Sequence, residues 1–211
     1  MSFRIQTNVN SLITQRQLGI NQQKFTQALT RLSSGFRINS AADDAAGLGI
    51  SENLRAHIRS YAQAERNTNV AISMSQTAES GADSISQVII RMRELAVQSS
   101  NGSLTTTDRA LLDTEFQELK QEVERLAEAT EFNGRELLAG AASTISFQVG
   151  IRLDSYDVIS VGFGGVGLTS LGIDKSRVDG PDATKANLAI TALDSALTSV
   201  SQTRAGFGAA T

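Results

Sequence analysis

The sequence predicts a mainly α-helical protein, an elongated antiparallel bundle or coiled coil of helices that carries one small β-hairpin. Four separate segments have apolar residues at alternating steps of three and four, the spacing with which helices pack nearly parallel to one another. The 211 residues include a single proline, so long helices can run without a break. One short segment instead alternates apolar and polar residues, which is typical of a strand.

The first predicted helix ends near Gly35. Its apolar seam follows steps of seven, four, three and four and consists of Leu18, Phe25, Leu29, Leu32 and Phe36. Gly35 and the Asn39-Ser40 pair interrupt this pattern. Ser40, Asp43 or Asp44 can then cap the helix that follows.

Three further helices are predicted over residues 45–100, 107–129 and 182–204. The first of these contains no proline and would reach ~80 Å at about 1.5 Å per residue. Asn101-Gly102 is predicted to end this helix, and Thr107 with Asp108 to begin the next helix. The seam of the helix over 107–129 includes Leu112, Phe116 and Leu119.

Glycine, proline and asparagine mark the ends of the later elements. We expect Asn133-Gly134 to end the third helix, because this dipeptide interrupts a helical pattern. Pro181-Asp182 opens the last helix. We expect that helix to end near Arg204, since Gly206 and Gly208 weaken it beyond that point.

Residues 143–163 are predicted to form a β-hairpin, because Ile145, Phe147 and Val149 alternate with polar residues. The stretch 162–180 is glycine-rich and turn-like, and it opens with a match to the dinucleotide-binding pattern G-x-G-x-x-G. Nucleotide binding needs a βαβ unit and a helix directly after the glycines, and the sequence indicates neither. A flexible loop is therefore the preferred interpretation.

The composition excludes several classes of protein. The chain has no cysteine, one histidine and a net charge of −3. Disulfides and thiolate metal sites are therefore impossible, and a zinc site built mainly from histidine lacks its second imidazole. The acidic balance argues against nucleic acid as a partner. No apolar run reaches the roughly 18 residues that a membrane span needs, so we expect no membrane insertion, and the N-terminus lacks a secretory signal pattern.

The sequence offers no convergent catalytic or metal site, and we expect neither enzyme activity nor a cofactor. The side chains of Asp43 and Asp44 would point about 100° apart on a helix, and no third ligand follows one turn later, so capping is the better interpretation. His57 is interpreted as a surface residue at the edge of a seam.

Arg91 and Arg93, followed by Glu94 and Leu95, lie where the second helix is most strongly patterned. Charges beside a seam are usually the solvated flank of a coiled coil, and the spacing alone favours that interpretation. Alternatively, Arg91 with an exposed Leu95 one turn later would form an interface anchor.

The residues from Leu32 to Leu48, LSSGFRINSAADDAAGL, very closely resemble the N-terminal signature of bacterial flagellins. The resemblance begins at Ile5 and continues in the family's order through QAERNT from Gln63, RMRELAVQS from Arg91 and EFNG from Glu131. Residues 185–209 are similar to the start of the family's C-terminal conserved helix. Long matches in a conserved order are far more specific than a short glycine pattern.

The resemblance implies a structural subunit that self-assembles with other copies of itself into the flagellar filament used for motility. Residues 1–42 would form the N-terminal helix of the inner filament core, mobile in the monomer, and residues 43–211 the rod-like core domain. The resemblance also implies type III export to the extracellular flagellum, and the export apparatus, hook-associated proteins and cap proteins as partners. We expect assembly contacts from the seam residues already named and from Ile38, Asp43 and Asp44 in the connecting loop.

Many flagellins are also bound by the Toll-like receptor that senses them. The resemblance gives six residues a place in that site, with Arg91, Leu95 and Glu115 as anchors and Arg93, Glu94 and Gln98 nearby. Ile90 stands where receptor-activating members usually carry a polar residue. We call these six residues the receptor stripe. It has two interpretations, a receptor site or the solvated flank of a coiled coil.

Chains of the family continue past the block at Arg204 for several tens of residues, whereas this chain stops within that helix. We therefore expect the first helix to lack a partner and to be mobile or self-associating, and the chain alone to polymerise poorly. A hook–filament junction protein, which has a similar N-terminus, is an alternative, although the full run Ala41–Gly47 favours a flagellin. A secreted helical binding module that never assembles is another.

Overall fold

The computed structural model describes residues 8–210, and within that range the fold is mainly α-helical. The helices are α1 (Val9–Ser34), α2 (Ala45–Ser99), α3 (Thr106–Ala129), α4 (Leu168–Leu171) and α5 (Thr184–Ala210). Two antiparallel strand pairs join β1 (Glu131–Phe132) to β2 (Arg135–Glu136) and β3 (Ser143–Gln148) to β4 (Val158–Phe163). The predicted class, a helical bundle with a small β-hairpin, is confirmed.

The chain divides into two compact units, an N-terminal unit of residues 1–59 and a C-terminal unit of residues 60–211. The predicted division at residue 42 concerns the place of each segment in a filament, and it stays a prediction. Residues 1–7 of the predicted inner segment, and residue 211, lie outside the described range. Between residues 8 and 210, no helix combines the length and the apolar character that crossing a membrane would need.

The N-terminal unit contains α1, the segment 35–44 and the first turns of α2. Asn8 caps α1, because its Oδ1 accepts the backbone N–H of Ser11 at 3.2 Å. α1 ends at Gly35, whose φ of 72° lies in the left-handed region that glycine adopts without strain. The Gly35 N–H donates to the carbonyl of Arg31 at 2.9 Å and closes the last turn.

The core of the C-terminal unit is built on the seam of α2. Buried residues of this helix recur from Ala64 to Ser99, mostly at steps of three and four. Arg93 of α2 pairs with Asp194 of α5 at 2.7 Å. Asp83 pairs with Arg204 at 2.9 Å, so α5 runs antiparallel to α2. The largest fully buried side chains include Phe116, Phe163, Phe207, Ile85, Ile89 and Met92.

Asn133-Gly134 forms the turn of a second small hairpin, which corrects the prediction that this pair ends a helix. α3 ends at Ala129, and Asn133 and Gly134 have φ angles of 53° and 72°. Left-handed conformations at both central residues are what a two-residue type I′ turn requires. The pair joins β1 to β2, whose strands have two residues each and are too short to show any alternation in the sequence.

The β3–β4 hairpin packs on the end of α5. Val161 and Phe163 of β4 are buried, and Phe163 stacks on Phe207 of α5. The prediction that the last helix ends near Arg204 is wrong, because burial of Phe207 holds the helix past Gly206 and on to Ala210.

The glycine-rich stretch also differs from its interpretation as a flexible loop. Leu168–Leu171 form a single helical turn, α4, which Gly172 ends with a φ of 69°. Leu171 and Ile173 are buried, so the turn is anchored in the core. Four residues are too few for a helical periodicity to appear in the sequence.

Candidate functional site

One face of α1 presents the apolar seam to solvent. Leu18, Phe25 and Leu32 are 67%, 64% and 81% exposed, and Leu29 is 49% exposed. None of the residues of α1 is buried. Helices in proteins gain most of their stability by packing an apolar face, so this much exposed apolar surface marks an interaction face.

The segment 35–44 is organised by Asp43. Its carboxylate accepts hydrogen bonds from the Gln27 side chain at 2.6 Å and from the backbone N–H groups of Asn39 and Ser40 at 3.3 and 3.2 Å. Arg31 pairs with the same carboxylate at 3.3 Å. The hydrogen bonds from the Gln27 amide first, then from Asn39 and Ser40, lower the pKa of Asp43 to about 2.

Asp44 is the residue that caps α2, which settles the choice left open among Ser40, Asp43 and Asp44. Its Oδ1 accepts the backbone N–H of Gly47 at 2.8 Å. A Cβ at Gly47 would collide with the Asp44 carboxylate and with Cδ1 of Ile38, so any other residue there would displace the capping side chain. Phe36 is exposed and lies under the guanidinium of Arg55, 4.6 Å from the ring centroid.

Arg91 joins α2 to α3 on the surface of the C-terminal unit. Its Nη2 donates to Oε1 of Glu115 at 2.8 Å, and its Nη1 donates to Oε2 of Glu94 at 2.9 Å. Glu115 first and then Glu94 raise the pKa of Arg91. Arg93 instead contacts Asp194 of α5, so the two arginines lie on different faces of α2.

Leu95 is buried, with 1% of its surface exposed, which corrects the expectation that it stands exposed beside Arg91. α2 packs against both α3 and α5, so its buried face is wide enough to include Leu95 as well as Ala96. The exposed apolar side chains nearest in sequence to Arg91 and Glu115 are Ile90 and Val97 on α2 and Leu111 on α3. Ile90 was singled out from the sequence, whereas Val97 and Leu111 were missed, although both lie off the seams.

The predicted packing residues of α3 belong to the interior of the C-terminal unit. Phe116 is fully buried, and Leu112 and Leu119 are partly buried against the same core. Gln98, a predicted member of the receptor stripe, is exposed on α2. His57 is exposed on the same helix. Among residues 8–210, no three His, Asp or Glu side chains converge where a metal ion could be held.

A row of polar side chains on α3, missed by sequence reasoning, binds the backbone of residues 168–181. We call this row the polar ladder; its members recur at steps of four, four, three and four and are Arg109, Asp113, Gln117, Lys120 and Glu124. Arg109 donates to the carbonyl of Pro181 at 3.0 Å. At the opposite end, Glu124 accepts the N–H of Leu168 at 2.9 Å. The segment therefore runs antiparallel to α3.

The central rungs of the polar ladder are nearly inaccessible to solvent. Asp113 accepts the N–H of Val178 at 2.9 Å, and Lys120 donates to the carbonyls of Asp174 and Ser176 at 2.5 and 3.3 Å. Asp113 and Lys120 are each 8% exposed. Burial lowers the pKa of Lys120, as does the nearby positive charge of Arg177. Buried polar residues of this kind recur with the same spacing as residues on a solvated helix face, so the sequence does not distinguish them.

The chain is similar to known flagellins over most of its length. The model of the family "Bacterial flagellin N-terminal helical region" matches residues 5–143. A flagellin of Halalkalibacterium halodurans is 42% identical over 205 residues, which cover 97% of this chain and 75% of that protein.

Solved structures of flagellar proteins share the fold. The crystal structure of Bacillus cereus flagellin gives a TM-score of 0.57 at 32% identity, covering 68% of this chain and 81% of that one. A putative flagellar hook-associated protein from Vibrio parahaemolyticus gives 0.67 at 18% identity, covering 81% and 88% of the two chains, and shows the fold alone. The chain belongs to the bacterial flagellin family, the structural proteins that form the extracellular flagellar filament.

Proposed function

We propose that this chain is a filament subunit that self-assembles with copies of itself and serves motility. The observation that carries the proposal is α1, a helix of 26 residues with an apolar seam and no buried residue. Such a helix gains stability by packing against other helices. Identical subunits that contact one another through two different surfaces build an open helical polymer, and that is the geometry of a filament.

Within this proposal, residues 1–42 belong to the inner filament core and residues 43–211 to its core domain. The segment held by Asp43 connects the two. The flagellar type III apparatus exports the chain, and hook-associated and cap proteins flank the polymer. Support comes from the family and from the exposed seam of α1.

Seeded polymerisation tests the filament function. Fluorescently labelled chain is added to short seeds sheared from flagellar filaments, and its incorporation is followed by microscopy and pelleting. Phe25→Glu and Leu29→Glu place charges on the seam and should abolish incorporation. Gln23→Glu adds the same charge about 200° away from Phe25 on α1 and should incorporate like the native chain. Equal incorporation of all four proteins would refute a role for the seam.

Localisation and proteolysis separate this function from its alternatives. A filament subunit labels the length of the flagellum, whereas a hook–filament junction protein labels only its base. In a subunit whose α1 is unpaired, a protease trims residues 1 to about 40 quickly. A binding module that never assembles would protect that segment.

A second function, as a ligand of the Toll-like receptor for flagellin, is favoured by the Arg91–Glu115 pair. The two side chains join α2 and α3 and remain 51% and 47% exposed, so a partner can reach both. Ile90 adjoins Arg91 in α2 and Leu111 lies one turn before Glu115 in α3, and both are exposed apolar side chains.

Receptor-reporter cells test the second function. Arg91→Ala should lower the response at equal protein concentration, because it removes the charge at the centre of the stripe. Arg125→Ala is the matched control, since Arg125 also forms an exposed ion pair, with Glu122 on α3. Equal responses to the native chain and to Arg91→Ala would exclude Arg91 from the site.

A further inference from the structure

A groove in the C-terminal unit concentrates positive charge around an apolar floor. It has a volume of about 350 Å³ and lies between the segment after α4 and the first half of α5. We call it the cationic groove; its charged lining consists of Lys175, Arg177 and Lys185, and its apolar lining includes Leu188 and Ala192. Leu188 is 67% exposed.

The charges of the cationic groove are placed unfavourably within one molecule. Lys185 is the second residue of α5, where the positive end of the helix dipole repels a cation. Among the described residues, only Asp179 pairs with it, at 3.1 Å. Arg177 lies close enough to the buried Lys120 ammonium for the two positive charges to repel each other. Within the part of the chain that the structure describes, Lys175 and Arg177 form no side-chain hydrogen bond or ion pair.

A second surface patch is negatively charged, and its charges are also placed unfavourably within one molecule. We call it the acidic hairpin; it consists of Glu131 and Glu136 with Glu128. Glu131 and Glu136 are direct cross-strand partners, an arrangement in which like charges repel. Glu128 lies in the last turn of α3, where the helix dipole disfavours an acid. Arg135 points to the other face of the hairpin, because side chains alternate along a strand.

We propose that the acidic hairpin of one copy docks in the cationic groove of the next copy. This inference rests on the proposed function, and it identifies one of the contacts that hold neighbouring subunits together. Among residues 8–210, no side chain of the same molecule pairs with Glu128, Glu131 or Glu136. Each patch therefore lacks, within its own molecule, the opposite charges that the other patch carries. Two patches of opposite charge, each placed unfavourably within one molecule, are expected where a second molecule completes the contact.

The contact is heterologous, since the two patches are different surfaces of the same chain. After one docking event, one copy keeps a free groove and the other keeps a free hairpin, so the contact propagates instead of closing into a dimer. It should weaken as salt rises, because the screening length falls from about 10 Å at 0.1 M to about 3 Å at 1 M.

Charge reversal on either side tests the proposal. Lys175→Glu with Arg177→Glu makes the groove acidic, and Glu131→Lys with Glu136→Lys makes the hairpin basic. Each double variant of the full chain should lose self-association by at least about tenfold in sedimentation velocity at low salt, because like charges then meet. An equimolar mixture of the two variants restores opposite charges at every contact and should regain the native association.

A matched control and a folding check accompany the variants. Arg59→Glu with Arg152→Glu changes the net charge as the groove variant does, at exposed positions outside both patches, and should associate within about twofold of the native chain. Far-ultraviolet circular dichroism verifies that every variant keeps its helix content. The proposal is overturned if either reversed variant associates like the native chain, if the mixture fails to recover, or if the native chain remains monomeric at low salt.

Failure of this contact can be told from failure of the filament function. Native chain that adds to filament seeds, together with reversed variants that add equally well, refutes the groove and leaves the filament function intact. Native chain that never adds to seeds refutes the filament function itself.

Discussion

Phe163 at the end of β4 stacks on Phe207 of α5, with ring centroids 5.5 Å apart and the ring planes inclined by 29°. Both side chains are 1% exposed. The contact fastens the β3–β4 hairpin to the last helix, and it explains why α5 continues beyond two glycines. It also places a large apolar contact in a chain that has few aromatic residues.

Phe207→Ala should destabilise the C-terminal unit by about 3–5 kcal/mol, because it removes a buried ring and leaves a cavity. Chemical denaturation followed by circular dichroism measures the loss. Phe25→Ala is the control, since Phe25 is 64% exposed on α1 and its truncation should change the unfolding free energy by less than about 0.5 kcal/mol. Similar losses for both variants would contradict the assignment of Phe207 to the core.

The segment 35–44 should loosen in acid. The native pKa of Asp43 is lowered to about 2 from its ordinary value of 3.8, so the native state favours the ionised carboxylate. Its stabilisation is complete above the unfolded pKa and is lost as the pH falls through the native value. Carbon NMR of the Asp43 carboxyl should show a midpoint near 2, and the amides of Asn39 and Ser40 should lose protection as the carboxyl protonates.

Gln27→Ala supplies the control for that titration. The Gln27 amide is the largest contributor to the lowered pKa, so its removal should move the Asp43 midpoint upward. A midpoint near 3.8 in the native chain would show that the carboxylate does not hold the segment.

Lys120→Met should cost about 1–3 kcal/mol of unfolding free energy, because it leaves the carbonyls of Asp174 and Ser176 without this donor. Lys175→Met is the matched control; Lys175 is exposed on the same segment, and its loss should change stability by less than about 0.5 kcal/mol. Urea unfolding of the two variants distinguishes a buried rung from a surface lysine. Equal stability would mean that the polar ladder does not stabilise the segment.

Gly81→Ala should destabilise the chain by about 1–3 kcal/mol. A Cβ there would lie 2.5 Å from Oγ1 of Thr130 and 2.9 Å from Cδ1 of Leu138, so the Thr130 and Leu138 side chains would have to shift. Gly49→Ala is the opposite case in the same helix, with open space around the new methyl group. It should stabilise α2 by about 0.5–1 kcal/mol. Thermal melting compares the two, and the same sign for both would contradict the packing at Gly81.

Periodic patterns predicted the long elements, and features without a period escaped prediction. The steps of three and four indicate α1, α2, α3 and α5, and the alternation around Phe147 indicates β3. The Asn133-Gly134 turn and α4 belong to elements of two to four residues, which are shorter than the patterns that would reveal them. The end of α5 depends on Phe163, a contact that lies 44 residues away in the sequence and has no local signal.

The candidate site was predicted in part. The spacing of Arg91 and Glu94 indicates a charged flank, but the width of the buried face of α2 depends on how many helices cover it, and that decided the burial of Leu95. The polar ladder was not predicted, because a sequence does not distinguish an exposed charged residue from a buried, hydrogen-bonded one. Asp43 and Asp44 were recognised as structural residues, and the structure assigns them different hydrogen-bond acceptor roles.

The polar ladder has a consequence for sequence change. Its rungs end on main-chain amides and carbonyls, which every amino acid except proline provides in full. Apart from the buried Ile173 and Val178, and from Gly172 and Gly180 with their positive φ angles, the residues from 172 to 180 can therefore be replaced without loosening the attachment to α3. Outside Lys175 and Arg177 of the cationic groove, this stretch can therefore change what an antibody recognises while the scaffold beneath it stays the same.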